Sequence, residues 1–198
     1  TNWMDELFEN GRTNSFQLSA SGGTDKVTYL MSTGYFSQDG IVIGKNDSYK
    51  RFEFRSNVSA KLSERIQVKS NILLNHQNKM VVSSRGDSPG IIRHALLRPP
   101  VLSVLKSLDD PTYSVNNPYT DLPFYESPSN FQSNLYEWSQ NPVALASLSN
   151  NNQKQFKLFG NAGVDVDILA DRSLKFRSNV GMELNFNHNK SFMRNAGD

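Results

Sequence analysis

The histidines His76, His94 and His188 carry the neutral-pH proton chemistry of this sequence, and none stands at a metal-ligand spacing such as H-x-x-x-H. No metal site and no cofactor is expected. The carboxylate pairs Asp109-Asp110 and Asp165 with Asp167 fall in a loop and beside a turn, where they are solvated. A glycosidase would need two carboxyls facing each other across a sugar, one with its pKa raised by burial. No nucleophile elbow, phosphate loop or dinucleotide fingerprint occurs. Cysteine is absent, which removes disulfides, zinc-thiolate sites and thiol nucleophiles. The chain is not expected to be an enzyme.

Two sets of side chains remain that could bind without reacting. Arg51, Glu53, Arg55, Lys61, Lys175, Arg177 and Glu183 are candidates for a polar surface of mixed charge, either the wet lumen of a wide barrel or the solvated face of a soluble sheet. Tyr113, Tyr119, Phe124, Tyr125, Tyr136 and Trp138 lie in a stretch punctuated by Pro, Asn and Ser. An aromatic face is a flat apolar surface that suits a sugar ring, although packing within the loop is the commoner use. The net charge of +2, with Lys and Arg scattered, argues against nucleic acid, because affinity for a polyanion comes from clustered cations that release counterions.

Positioning these residues requires long strands. In Tyr49 to Leu62, Phe52, Phe54, Val58, Ala60 and Leu62 alternate with Arg51, Glu53, Arg55, Asn57, Ser59 and Lys61. Period two specifies a strand with one apolar and one polar face. Gln155 to Leu169 and Leu174 to Phe186 repeat the pattern, and Ile66 to Gln77 follows it less regularly. Globular strands average about 5 or 6 residues, whereas crossing a bilayer on a tilt takes about 9 to 11. No run of about 18 apolar residues is present, so a helical span is excluded while a barrel is not.

The predicted fold is all-β, an antiparallel up-and-down meander of about six long strands over residues 15–21, 26–37, 49–62, 66–77, 155–169 and 173–188. Short connections alternate with long ones, as in bacterial membrane barrels, where turns are tight on the periplasmic side and loops are longer outside. The longest connection, 78–154, is assigned to the extracellular side. It is predicted to contain a short helix over Gly90 to Leu97, after Ser88-Pro89 and before Pro99-Pro100. Thr1 follows no initiator Met or apolar leader, so any targeting segment is expected to lie outside this sequence.

Several stretches resemble the SusC/RagA family of TonB-dependent outer-membrane transporters of Bacteroidetes. Thr1-Asn2-Trp3-Met4-Asp5-Glu6-Leu7-Phe8 is similar to the family's T-[DN]-W-x-D-E-[IL]-F box, and Phe16 to Gly23 to its "YQLSVSGG" strand. Tyr35 to Gly44 resembles "GYxxQEGIxxxS", and Tyr49-Lys50-Arg51-Phe52 resembles "YKRYxxR". Asn141-Pro142-Val143-Ala144 is similar to "NPLA", and Leu174 to Gly181 to "LxFRSNxG". The likeness runs in family order and is weakest across Val81 to Gln140. It implies an internal piece of a 22-stranded transmembrane β-barrel, with the plug domain and TonB box outside this chain. It further implies TonB as energy coupler, a SusD-like lipoprotein lid, and a glycan or peptide cargo. The alternatives on the residues alone are a soluble β-rich carbohydrate-binding module and a surface adhesin domain.

Overall fold

A computed structural model describes residues 1–82, 90–116, 118–120 and 140–193. Six strands form one sheet in chain order, every neighbouring pair antiparallel: β1 (Thr13–Gly23), β2 (Val27–Asp39), β3 (Ser48–Ser63), β4 (Ile66–Met80), β5 (Ser149–Asp167) and β6 (Lys175–Met193). The meander is as the alternation predicts. Its strands are longer than the alternation alone marks out, most of all at β5 and β6. There the ladder continues through Ser149-Asn150-Asn151-Asn152 and its partners up to Met193, polar sequence that carries no period to read. The long connection is correspondingly shorter, 81–148 in place of 78–154. The register is continuous except for one bulge between Lys61 and Ser63, just before the Glu64-Arg65 turn.

Three short helices accompany the sheet: α1 (Trp3–Leu7), α2 (Ile91–Leu97) and α3 (Pro142–Leu148). Only α2 is foreseen by the sequence reading. Asn2 caps α1, its Oδ1 accepting from Met4 N at 3.3 Å, and Trp3 and Leu7, four apart, bury one face. Asn141 caps α3, accepting from Val143 N and Ala144 N at 3.1 and 3.2 Å, with Pro142 at a position that tolerates its missing N–H. Because α1 leads into β1 and the other helices lie in the β4–β5 connection, all three sit at the end of the sheet opposite the tight turns.

The buried apolar core of the described residues lies there and not on the strands. Trp3, Leu7, Val42, Ile91, Ala95, Val143 and Ala146 form one cluster. Trp3 Nε1 donates to Pro99 O at 3.0 Å, and the Arg98 guanidinium stands 4.8 Å over the Trp3 ring. Asn141, fully buried, also donates to Val104 O and Thr120 O at 2.8 and 3.0 Å. Asn46 donates to Ala146 O, and Asp47 accepts from Ile41 N and Val42 N at 2.9 and 3.1 Å. Thus the Trp-containing opening box, the Gly40 to Asn46 connection and the Asn-Pro box, far apart in sequence, close on one another.

Gly40 shows how tight this closure is, since a Cβ there would overlap the carboxyl and carbonyl of Asp47. Gly40→Ala is expected to destabilise the β2–β3 connection by about 1–3 kcal/mol, as overpacking does, without altering the sheet. Faster proteolytic nicking between residues 40 and 47, with unchanged strand content by circular dichroism, is the readout. Nicking at the wild-type rate would count against it.

At the opposite end, in the β5–β6 turn, the Ser173 hydroxyl and N–H donate to Asp171 Oδ1 at 2.8 and 3.1 Å. These bonds, the hydroxyl's first, hold the Asp171 carboxyl below the usual carboxylate range. A depressed folded pKa gives stabilisation that is present above the ordinary carboxylate range and lost as pH falls through the folded value. Ser173→Ala is expected to move the Asp171 titration upward by NMR, and an unmoved titration would refute the assignment.

Candidate functional site

Residues opposite one another across an antiparallel pair share a face, so the register sorts every side chain. One face carries Phe16 and Leu18 of β1, Tyr29 and Met31 of β2, Phe52 and Phe54 of β3, Ile72 and Leu74 of β4, Phe156 and Leu158 of β5, and Val180, Met182 and Leu184 of β6. These side chains are uncovered: Phe16 is 67% exposed, Leu18 70% and Val180 70%. The sheet therefore presents an apolar band with none of the described residues of other elements packed on it. Across the band, Phe16, Tyr35, Phe52, His76, Phe156 and Phe186 are successive partners, one per strand, forming a straight row rich in rings.

The other face is mainly polar and cross-linked, with Leu30, Phe36, Leu73 and Phe159 interspersed. Arg51 Nε lies 3.4 Å from Glu53 Oε1, which also accepts from Asn75 Nδ2 at 2.9 Å, and Asn75 Oδ1 in turn accepts from Gln77 at 2.8 Å. Asp165 joins three strands, with Lys69 Nζ at 2.7 Å and Arg177 Nε at 3.6 Å. Lys157 pairs with Glu183 at 2.8 Å, and Asp167 takes Lys175 and Arg172 at 3.6 and 3.5 Å. Such exposed pairs stabilise by only about 0–1 kcal/mol each. Their consequence is a hydrated wall on which Glu53, Asp165, Asp167 and Glu183 are each paired with a cation. A shallow recess lies over β1 to β4, lined by Ser15, Gln17, Ser32, Arg51, Glu53 and Arg55 among others.

The register brings Arg51, Glu53, Arg55, Lys61, Lys175, Arg177 and Glu183 onto this one face. Sequence reasoning missed Lys69, Asn75, Lys157 and Asp165, which tie the strands together. Their odd-phase positions were the available signal, but the pairing offset between strands is not written in any one strand. Among the loop aromatics, Tyr119 packs against the helical cluster and bridges Leu105, and Tyr113 is half-buried. Phe124, Tyr125, Tyr136 and Trp138 lie outside the described residues. His94 is buried in α2, its Nδ1 accepting from Gln140 N at 2.9 Å, while His76 and His188 lie on strands.

Among the described residues the geometry is that of a wall with one mainly apolar and one mainly polar side. No family model matches the chain. It is 26% identical over 196 residues, 92% of its length, to the TonB-dependent receptor SusC of Bacteroides thetaiotaomicron. It is 34% identical over 122 residues, 59% of its length, to the TonB-dependent receptor P3 of Formosa agariphila. The fold matches the solved structure of the RagAB peptide transporter with a TM-score of 0.68, at 19% identity over 96% of the chain. The chain is similar in sequence to TonB-dependent receptors, SusC among them. It spans 18% and 12% of the two receptors and 19% of the matched transporter chain. Bacterial membrane barrels carry an outward apolar band about 25 Å tall around a polar interior, and this sheet divides in the same way between its band and its ion-paired face.

Proposed function

We propose that this chain forms part of the barrel wall of a TonB-dependent outer-membrane importer that takes up a glycan or peptide beneath a SusD-like lipoprotein lid. The observation that carries the reading is the division of the sheet into a predominantly apolar face, uncovered by the described residues, and a predominantly polar, cross-linked face. A soluble module or adhesin domain of this size would bury its apolar face against a second layer. Long connections face the outside and tight turns the periplasm. The polar face lines the lumen, where Arg51, Glu53, Arg55, Lys61, Lys175, Arg177 and Glu183 keep the interior wet. The connection 81–148, held by the helical cluster, bears on cargo, with its aromatics as candidate contacts.

Deleting the gene is expected to abolish growth on one class of oligomer, glycan or peptide, while growth on the monomers continues, and deleting TonB should reproduce the defect. Undiminished uptake in both strains would sink the proposal. A tagged protein extracted in mild detergent is expected to bring a SusD-like lipoprotein with it, and recovery of the barrel alone would count against the lid.

A further inference from the structure

We infer that the outward rim of the apolar face, at the end bearing the long connections, binds phosphate-bearing lipid headgroups of the outer leaflet. The inference rests on the proposed orientation, with the apolar face in lipid and the long connections outside. Immediately above the row from Phe16 to Phe186 the same face turns polar on every strand at once. Asn14, Ser37, Lys50, Asn78, Lys154 and His188 are successive partners across the six strands. One step higher on β6, Lys190 faces Asn152.

Two asymmetries point to a ligand. First, the charges are unbalanced. On the lumen side Glu53, Asp165, Asp167 and Glu183 stand among the cations, so that Arg51, Lys69, Lys157, Lys175 and Arg177 have a carboxylate within ion-pair distance, while Arg55, Lys61 and Lys79 have none among the described residues. Lys50, Lys154 and Lys190 have none among the described residues, and Asp39 is the sole carboxylate on this part of the face. Second, the cations occupy one boundary only. At the tight-turn end the outward strand positions are Val27, Ala60, Val68, Val166 and Phe176, with no Lys or Arg. Exposed ammonium groups just above a ring-rich row match a lipid whose acyl chains meet the band and whose phosphates sit at its edge, since each basic residue near an anionic surface adds attraction.

The test uses the intact protein in phosphatidylcholine nanodiscs doped with diphosphoryl lipid A, with retained lipid A counted by native mass spectrometry. Lys50→Gln, Lys154→Gln and Lys190→Gln together are expected to reduce retention roughly tenfold or more, the scale set by three lysines near an anionic surface. Heat-modifiable gel mobility verifies folding, and the corresponding triple Arg variant is expected to retain lipid A. Equal retention by wild type and the Gln variant would overturn the inference, as would displacement of lipid A by inorganic phosphate, which would mark a site for free anions. Labelling of Ser107→Cys in whole cells by an impermeant maleimide separates the two claims. Labelled cells with unchanged lipid retention defeat the headgroup site alone, and unlabelled cells defeat the orientation with it.

Discussion

Arginine at Leu74 is expected to prevent the wall from assembling in the outer membrane, whereas arginine at the adjacent Asn75 is expected to be tolerated. Leu74 is mid-strand on the apolar face, with Phe54 and Leu158 as its partners on the neighbouring strands. A cation placed toward lipid near the bilayer centre costs about 2–4 kcal/mol. That is a large part of the margin of about 5–15 kcal/mol by which a folded domain is stable. Asn75 points to the other face, where it donates to Glu53 Oε1 at 2.9 Å, so a guanidinium there meets a carboxylate and water. Heat-modifiable mobility in outer-membrane fractions should show the folded species lost for Leu74→Arg and kept for Asn75→Arg. Equal recovery of the two variants would mean that the faces are assigned wrongly. The contrast is sharp because one residue step reverses the face.

A comparable effect, confined to the rim, is expected of Trp3→Ala. Trp3 is 3% exposed, stacks beneath Arg98 and donates to Pro99 O, so truncation leaves a cavity, removes one of the two hydrogen bonds to that carbonyl and uncovers a cation. Buried Trp-to-Ala changes cost about 3–5 kcal/mol. The loss falls on the cluster joining α1, α2 and α3 and leaves the strands paired, because no strand contributes a buried apolar side chain to that cluster. Limited proteolysis of the intact protein should therefore cut within 81–148 many times faster while the barrel keeps its folded mobility. Asn141→Ala should act in the same direction by removing the α3 cap together with the bonds to Val104 and Thr120. A wild-type cleavage pattern in both variants would show that the cluster does not restrain the connection.

The sheet was legible because lipid and water impose opposite demands on alternate residues, so the period is written into each strand separately. Phe52 to Leu62 against Arg51 to Lys61 needs no partner to be read. The strand ends were not legible: where β5 and β6 rise above the band, both faces meet water and Asn follows Asn without alternation. The helical cluster was hidden for another reason. Its helices span 5 to 7 residues, too short for a 3.6 period to declare itself, and the apolar residues that bury it come from four separated segments. The Asn-Pro start of α3 was the strongest local sign, a capping side chain followed by a residue suited to the first helical turn. The lumen-side ion pairs depend on register, which is fixed only when the strands meet.

The seam between β4 and β5 differs from every other in the sheet. β1 with β2 and β3 with β4 are joined by tight turns, β5 reaches β6 through 168–174 and β2 reaches β3 through 40–47, but Met80 finds Asn152 only across the whole stretch 81–148. Closing a flexible loop grows costlier by about 0.6 kcal/mol with each doubling of its length. The sheet should accordingly assemble as a four-stranded piece and a hairpin that meet late, with α2 and α3 shortening the search by drawing Val82 and Leu148 toward one end before the ladder zips. The short boxes that gave no strand signal would then act as the chaperone of their own barrel, setting the rate at which the last seam closes.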